Sequence, residues 1–199
     1  MRREKLYILS IIIIFMYACD SKEFNKDFDK QKSIELFDEI FKQEDMQRMT
    51  CIFEKPNWRV FENSEYFRSS VREELKIKDT SFFNFQIKLL DQFIITDEFD
   101  FSKKIIDKEA YQDFLNTGNY RIIKDTTMYN RFDWLIDNNC PHGFINISKP
   151  LFNEDYNKAI VHLEFDCGPL CGFEKSIVFV LKNKKWSAED VMEFDLVIY

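Results

Sequence analysis

The stretch KAIVHLEFDCGPLCGFEKSIVFVLKNKKW, residues 158–186, decides the fold. Its first nine residues alternate, with Ala159, Val161, Leu163 and Phe165 on one face and His162, Glu164 and Asp166 on the other. That period of two predicts a strand with one packed and one wet face. Ser176 to Leu181 is apolar on both sides, as in a central strand, and Lys182-Asn183-Lys184-Lys185 turns the chain into Trp186. Cys167-Gly168-Pro169-Leu170-Cys171-Gly172 lies between the two strands and carries the Gly and Pro of a hairpin tip. With a closing strand over Val191 to Tyr199, the C-terminal third reads as an antiparallel meander.

Upstream of it, Ile145 and Ile147 alternate, Pro150 breaks the run, and Asn153 to Asn157 is a polar turn. Further toward the N-terminus the period becomes helical. Ile34, Phe37, Ile40 and Phe41 predict an amphipathic helix over Ser33 to Met49. Ser64 is positioned to cap a helix carrying Phe67, Val71 and Leu75, and Asp79-Thr80-Ser81 to cap one striped by Phe82, Phe85, Gln86, Leu89, Leu90 and Phe93. Cys51 to Phe61 reads as a loop with a short extended piece, and Asp97 to Asp107 as a connector or short strand. Short elements are expected over Lys108 to Leu115, Arg121 to Ile123 and Met128 to Asn138. Helices gathered toward the N-terminus and strands toward the C-terminus predict an α+β fold, with N-terminal helices packed on a C-terminal antiparallel β-meander. No repeat or Pro/Gly-rich linker divides residues 33–199, so one domain is expected.

The chain opens with Met1-Arg2-Arg3-Glu4-Lys5, a net-positive segment, followed by a largely apolar run from Leu6 to Ala18. Thirteen residues of helix reach only about 20 Å, short of the ~30 Å hydrocarbon core, so residues 1–18 read as a signal sequence and not a stable span. The run ends in Met16-Tyr17-Ala18-Cys19, which resembles the lipobox of bacterial lipoproteins. Ala18 and Cys19 fit its two most restrictive positions, while Met16 and Tyr17 depart from its usual leucine and small residue. The resemblance implies that Cys19 carries a thioether-linked diacylglyceryl group, that the leader is cut before it, and that the new amino terminus is acylated. Two or three chains hold a protein on a membrane stably. Residues 19–32 are polar and read as a solvated tether. The segment Phe144 to Trp186, with Ile147-Ser148-Lys149-Pro150-Leu151-Phe152-Asn153 and Cys-Gly-Pro-Leu-Cys-Gly, resembles the C-terminal sheet of uncharacterised bacterial lipoproteins and secreted proteins. That likeness implies a fold and an envelope setting, and no activity.

Charge narrows the partners. The chain holds 28 Lys plus Arg and 35 Asp plus Glu, and without the leader's Arg2, Arg3, Lys5 and Glu4 the balance is 25 against 34, a net of −9. Such a body repels phosphates, so no nucleic-acid partner is expected. The 22 Phe accompany many Ile, Lys, Asn and Tyr, as an AT-rich genome supplies, and are expected in the core.

Five cysteines carry the remaining chemical signal. In an oxidising compartment a Cys167–Cys171 disulfide across the hairpin is expected, leaving Cys51 and Cys140 as the other pair. The alternative use is zinc held by Cys140, His142, Cys167 and Cys171, whose residue types suit a tetrahedral site although the spacing matches no strong signature. For hydrolysis, His162 with Glu164 and Asp166 is the one candidate imidazole–carboxylate group. No G-x-S-x-G, H-E-x-x-H or phosphate-binding glycine loop occurs, and four glycines leave little room for one. The expectation is a lipid-anchored envelope protein with a non-catalytic binding or scaffolding domain, partnered by the membrane and by another envelope protein, and with no cofactor. An envelope hydrolase near His162 is the alternative, and a surface lipoprotein that neutralises a toxin a weaker one.

Overall fold

A computed structural model describes residues 24–55, 65–99, 102–107, 140–166 and 172–192. The first helix, α1, spans Lys26–Ile40. Asn25 caps it, its side chain accepting from the backbone N–H groups of Asp27 at 2.9 Å and Phe28 at 3.1 Å, and Asp27 and Asp29 suit the positive end of the helix dipole. The helix thus begins within the segment expected to be a tether, and residues 26–32 belong to the folded domain. It also stops at Ile40, and a separate short helix α2, Glu44–Arg48, completes the segment expected to be one helix through Met49.

Strand β1, Cys51–Phe53, follows. Helix α3 is Glu65–Glu74, and α4, Thr80–Asp91, is capped by Asp79 accepting from Ser81 and Phe82 at 2.8 and 3.2 Å. Between them the chain closes α3 through a bond from the Ile77 N–H to the Arg72 carbonyl, with Lys76 at φ 54° where glycine is usual. A 3₁₀ turn, Asp97–Phe99, precedes β2, Lys104–Ile106. The remaining strands are β3 Phe144–Ile147, β4 Leu151–Phe152, β5 Lys158–Asp166, β6 Gly172–Lys182 and β7 Lys185–Met192. The elements expected over Lys108 to Leu115, Arg121 to Ile123 and Met128 to Asn138 lie outside the described residues.

The architecture is α+β, with strands in the order β2-β1-β3-β5-β6-β7 and β4 paired to β5 beside β3. The meander is real: β5 and β6 pair antiparallel over nine positions, from Lys158 opposite Val180 to Asp166 opposite Gly172, while the expected hairpin tip at residues 167–171 lies outside the described residues. The sheet as a whole is mixed, because β1 runs parallel to both β2 and β3. A strand, Lys185–Met192, begins ahead of the closing strand expected over Val191 to Tyr199, of which residues 193–199 lie outside the described residues. Asn183 and Lys184, at φ 53° and 64°, form a two-residue turn whose twist matches the strands, which starts β7 at once. Its register slips at Val178 and Phe179, opposite Asp190 and Ala188, which leaves Glu189 as a bulge.

Both faces of the sheet are covered. On one, Leu36, Phe37 and Ile40 of α1 pack on Ile145, Ile147, Val161, Leu163 and Phe179. On the other, Phe67, Val71, Leu75, Phe82 and Leu90 of α3 and α4 pack on Leu151, Ile160 and Val178. The expected wet face of β5 is therefore corrected: Ile160 is fully buried and His162 is only 5% exposed.

Cys51 and Cys140 form a disulfide, with Cα atoms 5.6 Å apart and 89 residues of separation. Both are fully buried, beside Phe53 and Phe144, whose rings meet edge-on at 4.7 Å. Closing so long a loop removes a large part of the unfolded chain's freedom. The paired substitution Cys51→Ala and Cys140→Ala is expected to lower unfolding free energy by about 2–5 kcal/mol in urea titration, and reductant to lower that of the parent by more than that of the variant.

Candidate functional site

Strands β3, β5 and β6 bring a strip of polar side chains to the face shared with Ile160 and Val178. Register places Asn146, Glu164 and Glu174 in one row and His162 beside Ser176 in the next. The Asn146 amide donates to Glu164 Oε2 at 2.8 Å. His162 Nδ1 lies 3.1 Å from Ser176 Oγ and its Nε2 lies 3.2 Å from Glu174 Oε1. A neutral imidazole satisfies both contacts, accepting the Ser176 hydroxyl proton at Nδ1 and donating from Nε2 to Glu174. Burial pushes the His162 pKa down to about 4 against the opposing pull of the Glu164 carboxylate. The His162 N–H also donates to Ser148 Oγ at 2.8 Å, and Ser148 returns a bond from its own N–H to the His162 carbonyl, so the ring's backbone is pinned to the end of β3.

Hydroxyl, imidazole and carboxylate thus stand in the order that nucleophilic catalysis uses. The carboxylate at hydrogen-bond distance is Glu174, which the sequence did not single out, while Glu164 is held by Asn146 and Asp166 ends the strand opposite Phe144 and Gly172. Ser176 is 1% exposed, so a substrate has no approach to its oxygen. A base of pKa about 4 also draws a serine proton weakly. The His162–Ser176 end of the strip lies in the packed interior with these two groups bonded to each other, while Glu174 reaches the surface.

A second cluster is one that the sequence reading missed. Lys149, between β3 and β4, places its ammonium 2.7 Å from Asp29 Oδ2 of α1, with side chains 4% and 1% exposed. The same ammonium donates to Gln86 Oε1 at 3.2 Å and to the Pro150 carbonyl at 2.8 Å. Gln86 of α4 donates its amide to Asp29 Oδ1 and accepts from the Phe152 N–H at 3.1 Å. The Tyr156 hydroxyl reaches Asp29 Oδ1 at 3.4 Å. Burial pulls the Lys149 pKa down, opposed by the Asp29 charge, while burial and then that same charge push the Tyr156 pKa up. A signal existed: Asp29 and Ser33 continue the buried face of Leu36, Phe37 and Ile40 at helical spacing, and Gln86 interrupts the apolar stripe of α4. A cleft of about 260 Å³ opens beside the pair, rimmed by Lys26, Lys30, Gln92 and Phe93.

The cysteine expectations divide. Cys51 and Cys140 are joined, so Cys140 has no thiolate to give and the zinc set of Cys140, His142, Cys167 and Cys171 is corrected on that ground. His142 lies exposed in the turn after Cys140, at φ 87°. Cys167 and Cys171 lie outside the described residues, as does Cys19. Among the described residues no group of three or more His, Cys, Asp or Glu is placed to hold a metal ion. No protein-family model matches the chain, and no curated protein or solved structure is similar to it.

Two measurements test these clusters. Lys149→Met leaves Asp29 buried without its cation and is expected to cost about 3–5 kcal/mol in denaturant unfolding, most of which the double substitution Asp29→Leu with Lys149→Met recovers. For His162 the folded pKa lies below the usual 6.5, so the unfolded chain takes up the proton first as pH falls. Its contribution, up to about 3 kcal/mol, is full above pH 6.5 and lost toward pH 4. Unfolding free energy measured across that window is expected to fall less steeply in His162→Gln than in the parent.

Proposed function

We propose that this chain is a lipid-anchored protein of a bacterial cell envelope, whose mature domain binds or scaffolds another envelope component without catalysing a reaction. The observation that carries the reading is the fully buried Cys51–Cys140 disulfide. Structural disulfides form and persist where thiols are not kept reduced, outside the bacterial cytoplasm. Export is also the destination implied by the leader and by Ala18-Cys19, so a feature at residues 51 and 140 and one at residues 1–19 agree independently. The binding half of the reading is supported by the burial of Ser176 and His162, which closes that hydroxyl–imidazole–carboxylate group to substrate. A toxin secreted by a competing cell is one form the envelope partner takes, and an envelope hydrolase is disfavoured by that same burial.

The test is the intact mass of the protein purified from its native membrane, with and without reduction before alkylation. Loss of residues 1–18 with a diacyl or triacyl increment on Cys19 is the expected result, together with Cys51 and Cys140 alkylated only after reduction. An unmodified Cys19 overturns the anchor, and freely alkylated Cys51 and Cys140 overturn the argument from compartment.

A further inference from the structure

The segment between anchor and domain is short. Phe24 packs on α4, its ring 5.3 Å from Phe82 and 5.2 Å from Phe85, and only five residue steps separate it from Cys19. Fully extended, they span at most about 18 Å. If Cys19 sits at a membrane surface, the end of the domain bearing Phe24 and the start of α4 is held within that distance of the headgroups. The far end of α1 lies about 22 Å further along the helix, so the domain has a near side and a far side.

The near side carries the unusual charge. A cleft of about 780 Å³ between α3 and α4 is lined by Arg68, Arg72, Lys76 and Lys78, against only Glu65 and Glu73. This is a local positive excess in a chain of net charge −7. Among the described residues none of these four side chains is ion-paired to a carboxylate, although Glu154 accepts from the Lys78 N–H at 2.8 Å and stands with Asp155 in the adjoining cleft that Lys76 and Lys78 also line, and Arg72 Nε is buried with no hydrogen-bond acceptor. The Arg72 guanidinium lies 5.7 Å from the Phe83 ring and 3.3 Å from Thr80 Oγ1, which holds it at the cleft wall. Tyr66, next to Glu65, is 71% exposed, a ring with an apolar body and a polar tip of the kind enriched at membrane interfaces.

We propose that the cleft between α3 and α4 is the face this domain lays against the membrane, its four cations engaging the phosphates of anionic phospholipid headgroups. The inference rests on the lipid anchor proposed above and adds to it an orientation. A net-acidic domain tethered this closely is repelled by an anionic surface unless its basic face turns inward, and basic residues within a Debye length of such a surface are attracted to it. Acyl chain and basic face then act together, as two-signal membrane attachment does.

The test reconstitutes the full acylated protein into vesicles of phosphatidylcholine alone or with about one third phosphatidylglycerol, and reads amine labelling of Lys76 and Lys78 by peptide mass spectrometry, with Lys42 beyond the far end of α1 as reference. Labelling of Lys76 and Lys78 is expected to drop about threefold or more on the anionic vesicles, to recover in high salt, and to leave Lys42 unchanged. Equal labelling on both vesicles overturns the orientation while leaving the anchor standing. Failure to float with neutral vesicles overturns the anchor and the orientation with it. Protection of Lys76 and Lys78 by inorganic phosphate without vesicles, and none by anionic vesicles, makes the cleft a site for a soluble anion and overturns the membrane assignment. Arg68→Gln with Lys76→Gln and Lys78→Gln, all at exposed positions, is expected to fold and to lose the lipid-dependent protection of Arg72, read by guanidinium-directed labelling.

Discussion

The Asp29–Lys149 pair fixes how the layers of this domain meet. Each ion is removed from water, which costs several kcal/mol, and neither is tolerable alone. Both are satisfied only when α1, α4, the β3–β4 connection and the turn before β5 stand in one arrangement, because the remaining partners come from Gln86, Pro150 and Tyr156. Apolar contacts hold the helices to the sheet without choosing among nearby registers. The ion pair chooses, since a slip of one helical residue carries Asp29 away from the lysine. The fold therefore has a polar pin between two apolar layers: the Phe37 cluster lies on one face of the sheet and the Phe82 cluster on the other.

The same physics explains which parts of the structure the sequence made legible. Strand β5 was readable to the residue, because its alternation is strict and a turn bounds it, and Asp79 announced α4 because a side-chain cap is a local event. Residues 26–32 were misread as tether since seven mostly polar residues look solvated until the partner of Asp29 is known, and that partner is 120 positions away in the chain. His162 was placed on a wet face for a related reason. Period two reports that the faces of a strand differ, but whether the second face meets water depends on helices elsewhere in the chain. Parallel pairing of β1 with β2 and β3 had no local signature at all, as three-residue strands carry too little pattern to declare a partner.

For the candidate site the lesson is about accessibility. An imidazole within 3.2 Å of a hydroxyl at one nitrogen and of a carboxylate at the other is a familiar catalytic inventory, yet here those two hydrogen bonds are made to neighbours on the same face of the sheet. Glu174, with more than a third of its side chain exposed, links that strip to the surface. Away from that strip, the cleft between α3 and α4 gathers Arg68, Arg72, Lys76 and Lys78, none of them ion-paired among the described residues.

The disulfide has one more consequence. It ties the beginning of β1 to the residue just ahead of the turn into β3, and everything between positions 51 and 140 is a covalently closed loop. A protease that clips the chain anywhere inside that loop leaves the sheet strands downstream still bonded to α1 and, through it, to whatever holds the amino terminus. A single cut there nicks the domain without shedding its C-terminal strands.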